Sequence, residues 1–366
     1  MNSNVAAGRH DAGGPRIHRG VLDAVTAVYD ALFGLIAALP QPPDPANPFS
    51  AARAVGLPPP PVSFLRHRHD SAAPRPGQPL ALPPTVDDSP LGRLRDALCL
   101  TPFETALLAL ALLPEIDARA QVAIAYLQGD LDSWHARPTL DLALRLFAPD
   151  DPDPSWGPRV LEPEAPLRAW EMLVPPPEDA ATIDYPLRLE RALHWSLLGS
   201  DALDPAVVDL DLAFLEPTAD AAVAFPDALP TPLDPSRGAG GVIMLYGGAE
   251  PVALAMARAA ARARGQDLLL LNGGGLARLG EDGPRLLRRG LREALLRGLL
   301  PCLHAGALLL VPGAARGAAY DPLAYRRVLD ACPCPVLLLE GGGDGPAATL
   351  GVAGRPIVVR LDPLSR

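Results

Sequence analysis

Phosphate chemistry needs a glycine turn, a cation and a hydroxyl in fixed order, and Gly247-Gly248 is the place to look for them. A phosphate-binding loop reads G-x-x-x-x-G-K-[ST], with the lysine on the phosphates and the hydroxyl on Mg²⁺. Counted from Gly247 the stretch is GGAEPVAL, so Val252, Ala253 and Leu254 stand where Gly, Lys and Ser/Thr are required. Glu250 adds negative charge where phosphate would approach. A Walker-B acid should end the third strand, but the apolar run Ala307–Val311 passes into Pro312-Gly313. With both halves missing, Gly247, Gly248, Val252, Ala253 and Leu254 are expected to be a vestigial site that holds no cofactor. The composition agrees: the 32 basic residues are all arginines. Without lysine there is no Schiff base, Ser-Lys dyad or P-loop ammonium.

The other candidates are weaker. A dinucleotide fingerprint, G-x-G-x-x-G after a strand, is absent at Gly247, and Gly273 to Gly275 is followed by Arg278 in place of a third glycine. That cluster reads as a strand-to-helix turn. His67-Arg68-His69-Asp70 has no further ligand at a metal-type spacing, and it lies in a proline-rich stretch. His194-Trp195 falls within a helical pattern and reads as packing or surface. The paired acids Asp87-Asp88 and Asp150-Asp151 read as solvated turns, not as acid–base pairs. Cys99, Cys302, Cys332 and Cys334 are too few for a disulfide framework; Cys332-Pro-Cys334 lacks the C-x-x-C spacing of a metal site. No catalytic residue and no metal ligand is assigned.

The elements that would carry these residues fall into three parts: residues 1–90, 91–236 and 237–366. Val21, Val25, Val28, Leu32, Leu35 and Leu39 recur in steps of four and three, which predicts a helix over 17–39. Fifteen prolines then fill the 51 residues from Pro40 to Pro90, the composition of a semi-rigid linker. The helix at its far end is expected to be a tethered docking element; the competing expectation is that it folds back on its own body. From Leu91 to about Gly199 the pattern is helical, with Ser89-Pro90 opening one helix and Thr101-Pro102 with Glu104 capping another. Helices are also predicted at Glu115–Leu127, Thr139–Leu146 and Leu187–Leu198, with a short strand at Trp170–Val174. This is a winged-helix-like pattern.

After Gly238 the period changes. Apolar runs at Val242–Tyr246, Leu268–Leu271, Ala307–Val311, Val336–Leu339 and Ile357–Leu361 alternate with helical segments at Pro251–Arg264, Pro284–Leu299 and Pro322–Asp330. Continuous apolar strands separated by helices predict a parallel sheet covered on both faces. The fold class is therefore mixed, a mainly helical winged-helix-like domain followed by an α/β parallel-sheet, P-loop-like domain. The helix at Pro284–Leu299 carries Arg285, Arg288, Arg289, Arg292 and Arg297 beside a leucine face. That strip fits a solvated basic face, a contact for an acidic neighbour or, least well, nucleic acid.

Charge narrows the partners. Net charge is −10, divided as 17 arginines against 32 acids in residues 1–237 and 15 against 10 in 238–366. An acidic front half argues against a duplex-binding module, because phosphate contacts supply most nucleic-acid affinity. The polar, glycine-rich first 16 residues do not read as a signal sequence, and Asp23 and Asp30 interrupt the most apolar early stretch. A cytoplasmic protein with no membrane partner is expected.

Several stretches in order resemble one family: LTPFETALLALALLPEIDAR (100–119), LQGD (127–130), RPTLDLALRLF (137–147), EAPLRAWEML (164–173) and LRLERALHWSLLGSDALDP (187–205). They are similar to the front half of the AAA+ ATPases encoded with phage-tail-like contractile injection systems, a variant winged-helix module. In that family a degenerate AAA-like domain follows, and residues 238–366 are similar to it, VVRLDPLSR (358–366) resembling its last strand and the start of a lid helix. The resemblance implies a second, active cassette that binds ATP and Mg²⁺, which these residues do not contain, and a hexamer of the complete protein. It also implies partners among injection-system components and neighbouring ATPase subunits. The leading expectation is thus a catalytically silent regulatory and docking half of such an ATPase. A stand-alone scaffold without a motor is the alternative, and an enzyme using the glycine-rich loops unaided is a distant third. A P-loop strand order, with the third strand beside the first, is expected of 238–366.

Overall fold

The computed structural model describes residues 17–38, 88–128, 136–147, 156–175, 182–184, 186–216, 241–247, 250–304, 321–340 and 357–361. The His67–Asp70 cluster, most of the proline-rich stretch, Gly248 and the run Ala307–Gly313 lie outside them.

The first helix, α1 (Arg19–Ala38), follows the predicted bounds closely. A second, α2 (Pro90–Leu98), is opened by the Ser89 hydroxyl, which accepts from Gly92 N at 3.0 Å. The next, α3 (Pro102–Ile116), starts on the capping box that the sequence predicts. Thr101 Oγ1 accepts from Glu104 N at 3.1 Å, and Glu104 Oε2 accepts from Thr101 N at 2.8 Å. Every residue from Phe103 to Pro114 is buried. A helix apolar all round has to be enclosed by neighbours, and α1 is one of them. Val21, Val28 and Leu32 are fully buried and Val25 nearly so, with α1 packed on α3. The expectation of a tethered docking helix is therefore corrected: most of the stripe is spent on the chain's own core, because burying each such side chain is worth about 1.5–3 kcal/mol.

Asp117 ends α3, and its carboxylate accepts from Arg119 N at 2.9 Å to open α4 (Ala118–Gln128), three residues later than predicted. Then come α5 (Leu140–Phe147), α6 (Trp156–Arg159) and α7 (Pro166–Ala169). A 3₁₀ turn at Thr182–Asp184 precedes α8 (Arg191–Leu197). The predicted helix over 187–198 begins only at Arg191 because Leu189 forms an antiparallel bridge with Leu173, and Glu190 caps the helix by accepting from Ala192 N and Leu193 N. A second bridge joins Thr139 to Pro186. These bridges are the small β element of an otherwise helical unit.

The chain divides into two compact units, residues 1–92 with 100–201, and residues 93–99 with 202–366. The second unit opens with α9 (Pro205–Val208) and β1 (Ala213–Glu216). It continues β2 (Val242–Tyr246), α10 (Glu250–Ala263), β3 (Leu268–Asn272), α11 (Gly273–Arg278) and α12 (Asp282–Arg297). Last come β4 (Leu300–His304), α13 (Pro322–Asp330), β5 (Val336–Leu339) and β6 (Ile357–Arg360). Among the described residues six strands lie in the order β1-β3-β4-β5-β2-β6. All neighbouring pairs are parallel except β1 with β3, where Ala213 faces Leu271 and Glu216 faces Leu268. An antiparallel edge strand was not foreseen.

Strand order corrects one expectation. Of the five parallel strands, it is the fourth (β5) that lies beside the first (β2), and the third (β4) is one place further out. The second (β3) does not touch the first, which separates this sheet from the doubly wound dinucleotide folds. Side-chain alternation along the strands supplies two cores. On one face Ile243, Leu245, Leu268, Leu300, Cys302, Leu337 and Leu339 pack with the alanines Ala253, Ala257, Ala260 and Ala261 of α10. On the other, α12 comes so close that a Cβ on Gly290 would lie 2.8 Å from Leu271 Cδ2. The amino end of this unit is pinned by Arg93 of α2, whose Nε and Nη2 donate to Leu296 O at 2.9 and 2.6 Å.

Candidate functional site

Ligands of parallel α/β sheets bind at the carboxyl ends of the strands, so the candidate site is that edge. After β2 the chain turns at Gly247, whose φ of +93° is open to glycine at low cost. A Cβ there would also lie 3.2 Å from Leu361 O. Helix α10 starts three residues later. Its Ala253 is part of the core, and Val252 and Leu254 pack against the same cluster. The positions that would carry the phosphate-binding lysine and the Mg²⁺-binding hydroxyl are therefore apolar and serve packing.

Glu250, the first residue of α10, places Oε1 2.8 Å from His304 Nε2, with both side chains about half exposed. His304 is the last residue of β4. The run Ala307–Val311, expected to be the third strand, lies outside the described residues; a strand not foreseen stands at Leu300–His304, because Gly298, at φ +65° and ψ +36°, ends α12 earlier than predicted. The residue at the carboxyl end of the third strand is thus a histidine and not an acid. A carboxylate in the first turn of α10 meets the positive end of the helix, the position a phosphate would use. Glu340, just beyond β5, lies at the same edge, donates its backbone N–H to Leu245 O at 3.0 Å and has its carboxyl pushed up by burial. With Glu250 on the first turn of α10 and Glu340 at the same strand ends, this edge carries acids where an anion would bind. Among the described residues no group of three or more His, Cys, Asp or Glu side chains is arranged to hold a metal.

The glycine cluster after β3 has a structural explanation. Asn272 caps α11 by accepting from Gly275 N at 2.9 Å, so Gly273 to Gly275 form the first turn of a helix and not a phosphate loop. A Cβ on Gly275 would lie 2.8 Å from Leu212 Cδ2. His194 and Trp195 are on α8; burial holds the imidazole below the usual histidine range, and its Nε2 is buried without a hydrogen-bond partner.

The arginine strip of α12 is a contact, in part. Arg292 is completely buried, with Nη2 3.4 Å from Asp204 Oδ2; Arg289 Nη1 lies 3.3 Å from the same oxygen. Asp204 also caps α9 by accepting from Ala206 N at 2.9 Å. Arg297 pairs with Glu293 at 3.0 Å and donates to Ala202 O at 2.5 Å. The acidic neighbour that the sequence allowed is thus this chain's own residues 202–204. Sequence reasoning missed the Glu250–His304 pair and the closeness of the Cys332 and Cys334 sulfurs, 3.4 Å apart. Gly298 just before the run LLPCLH was a legible signal for the first; the second needs the turn geometry.

The helices α2 to α9, with their two β bridges, occupy the stretch that the comparison with known families decides. Residues 84–210 match the family model of a winged helix domain, variant. No curated protein matches the chain. The winged helix domain spans the capping box of α3, the bridges Thr139–Pro186 and Leu173–Leu189, and the acid Asp204. No helix among the described residues is long and apolar enough to cross a membrane.

Proposed function

We propose that this chain is the regulatory, partner-docking part of an AAA+ ATPase that remodels contractile injection system components, and is catalytically silent in itself. ATP and Mg²⁺ belong, in this reading, to an active cassette outside these residues, and hexamer formation to the complete protein. The observation that carries the silent role is the Glu250–His304 pair at the carboxyl edge of the sheet. It puts a carboxylate where phosphate would bind and a histidine where the third strand would offer an acid to Mg²⁺. The winged helix domain at 84–210 fits the order of modules in the resembling family. The partners are then injection-system proteins and neighbouring subunits, in the cytoplasm, with neither nucleic acid nor membrane among them.

Titration of the full chain with ATP and Mg²⁺ by calorimetry tests the silent role: no micromolar binding and no turnover above a buffer blank is expected. Mg²⁺-dependent binding in that range overturns it.

A stand-alone interaction protein is the second reading. It is favoured by Val208, Leu210, Phe214 and Leu215, large apolar side chains that stay exposed within eight residues of sequence. Adding this chain to an injection-system ATPase cassette separates the two readings. A change in that cassette's turnover supports the first, and none supports the second.

A further inference from the structure

A pair of thiols on the turn between α13 and β5 has no part in the reading above. Cys332 follows the C-terminal cap of α13, donating its backbone N–H to Leu329 O at 3.1 Å, and Cys334 lies two residues before β5 begins. Their sulfurs are 3.4 Å apart and either can donate to the other. Cys332 is buried, Cys334 is half-buried and the intervening Pro333 is exposed, so the pair lies close under the surface with Cys334 the less enclosed of the two. The turn already holds the two sulfurs together, so most of the ordering that a disulfide between them demands is done by the fold. We propose that Cys332 and Cys334 are a reversible dithiol that low-molecular-weight disulfides of the glutathione class oxidise to an intramolecular disulfide.

The steps balance through thiol–disulfide exchange. Cys334 Sγ, passing its proton to the Cys332 thiolate beside it, attacks one sulfur of the external disulfide, forming a mixed disulfide and releasing one thiolate. Cys332 then attacks Cys334 Sγ, forming the Cys332–Cys334 bond and releasing the second. The two protons lost by the cysteines end on the two thiols released. The external disulfide is reduced by two electrons and the protein dithiol is oxidised by two.

Electrostatics help the first step. The hydrogen bond from Cys334 holds the Cys332 thiol below the ordinary thiol range, and the proton that Cys334 keeps is correspondingly hard to remove. The first proton to leave is therefore that of Cys332, and the thiolate left behind is the base that takes the Cys334 proton. The other two cysteines act as internal references. Cys302 is fully buried and burial pushes its thiol well up; Cys99 is exposed, its thiol donating to Asp96 O at 3.9 Å. No third His, Cys, Asp or Glu among the described residues joins the pair as a metal-binding group.

The test equilibrates the reduced full chain with oxidised glutathione at neutral pH. Acid quenching, alkylation with N-ethylmaleimide and mass mapping of the peptide that holds both cysteines follow. The expected product is that peptide two hydrogens lighter and unalkylated, with far-ultraviolet circular dichroism unchanged, Cys99 carrying a glutathione adduct and Cys302 untouched. Reduction with a monothiol should restore both alkylation sites. Cys332→Ser should trap a lasting adduct on Cys334, while Cys334→Ser should leave Cys332 largely unmodified. Full alkylation of both cysteines while Cys99 has reacted overturns the proposal, as does a disulfide that forms only in denaturant.

Discussion

Asp204 carries three structural duties on one carboxylate, and removing it is the sharpest test of how the second unit is held together. Oδ1 caps α9, and Oδ2 faces both Arg289 and the fully buried Arg292. In Asp204→Ala the lost cap costs about 1 kcal/mol. Breaking a buried ion pair by deleting one partner costs about 3–5 kcal/mol, because the other charge stays behind. The low end applies, since Glu293 still lies near Arg292 and Arg289 retains some contact with solvent. The expected loss is about 4 kcal/mol. With a urea slope of about 2 kcal/mol per molar, the midpoint of the second unit falls by about 2 M. Circular dichroism reads the transition, and hydrogen exchange should place the loosening at α9 and α12. Removing the stranded charge as well, in Asp204→Ala with Arg292→Met, should cost less than the two single changes together by at least about 1 kcal/mol. A single-variant loss under about 1 kcal/mol, or a strictly additive double variant, would refute the argument.

Leu32→Ala should lower stability by about 2–5 kcal/mol, because Leu32 is fully buried where α1 meets α3. An unchanged melting temperature would restore the docking role of that helix. Gly283→Ala should cost about 1–3 kcal/mol, since its Cβ would collide with the Tyr325 hydroxyl and break that group's 2.7 Å bond to Leu276 O; urea melts that match the parent's would show that α12 can shift. The His194 imidazole is held below its ordinary value by burial. Its contribution is present above the unfolded histidine value, about 6.5, and is lost as pH falls through the lower folded value. His194→Phe should therefore flatten the stability loss of the parent on acidification from about pH 7 to 5, and an identical slope in both proteins would count against it.

What the sequence made legible was local. The Thr101–Glu104 box, the stripe of α1, and the strands Val242–Tyr246 and Val336–Leu339 follow from residue types within one turn or one short run. The misses needed longer range. Strand β1 is four residues long, and its Phe214 and Leu215 are exposed, so no buried alternation marked it. Strand Leu300–His304 was missed because Leu299 and Leu300 extend the leucine pattern of α12 past Gly298, and Pro301 sits inside the strand. The apolar triplet Val252-Ala253-Leu254 showed that a P-loop was absent, but not that Glu250 and His304 meet over the vacated edge. Strand order depends on crossovers, which apolar runs do not encode.

The seven residues 93–99 belong to the second unit, yet they are synthesised before most of the first, and Arg93 closes its bonds on a carbonyl 203 positions later. The first unit can therefore close once residue 201 has left the ribosome, but the second cannot build on its own earliest segment until then. Helix α2 has to wait, exposed, until α12 exists, a long loop-closure step of the kind that slows folding and invites association of half-made chains. A fragment beginning at residue 238, where the apolar strands start, would inherit the same difficulty, since the α/β unit would lose β1, α9 and the Arg93 anchor together.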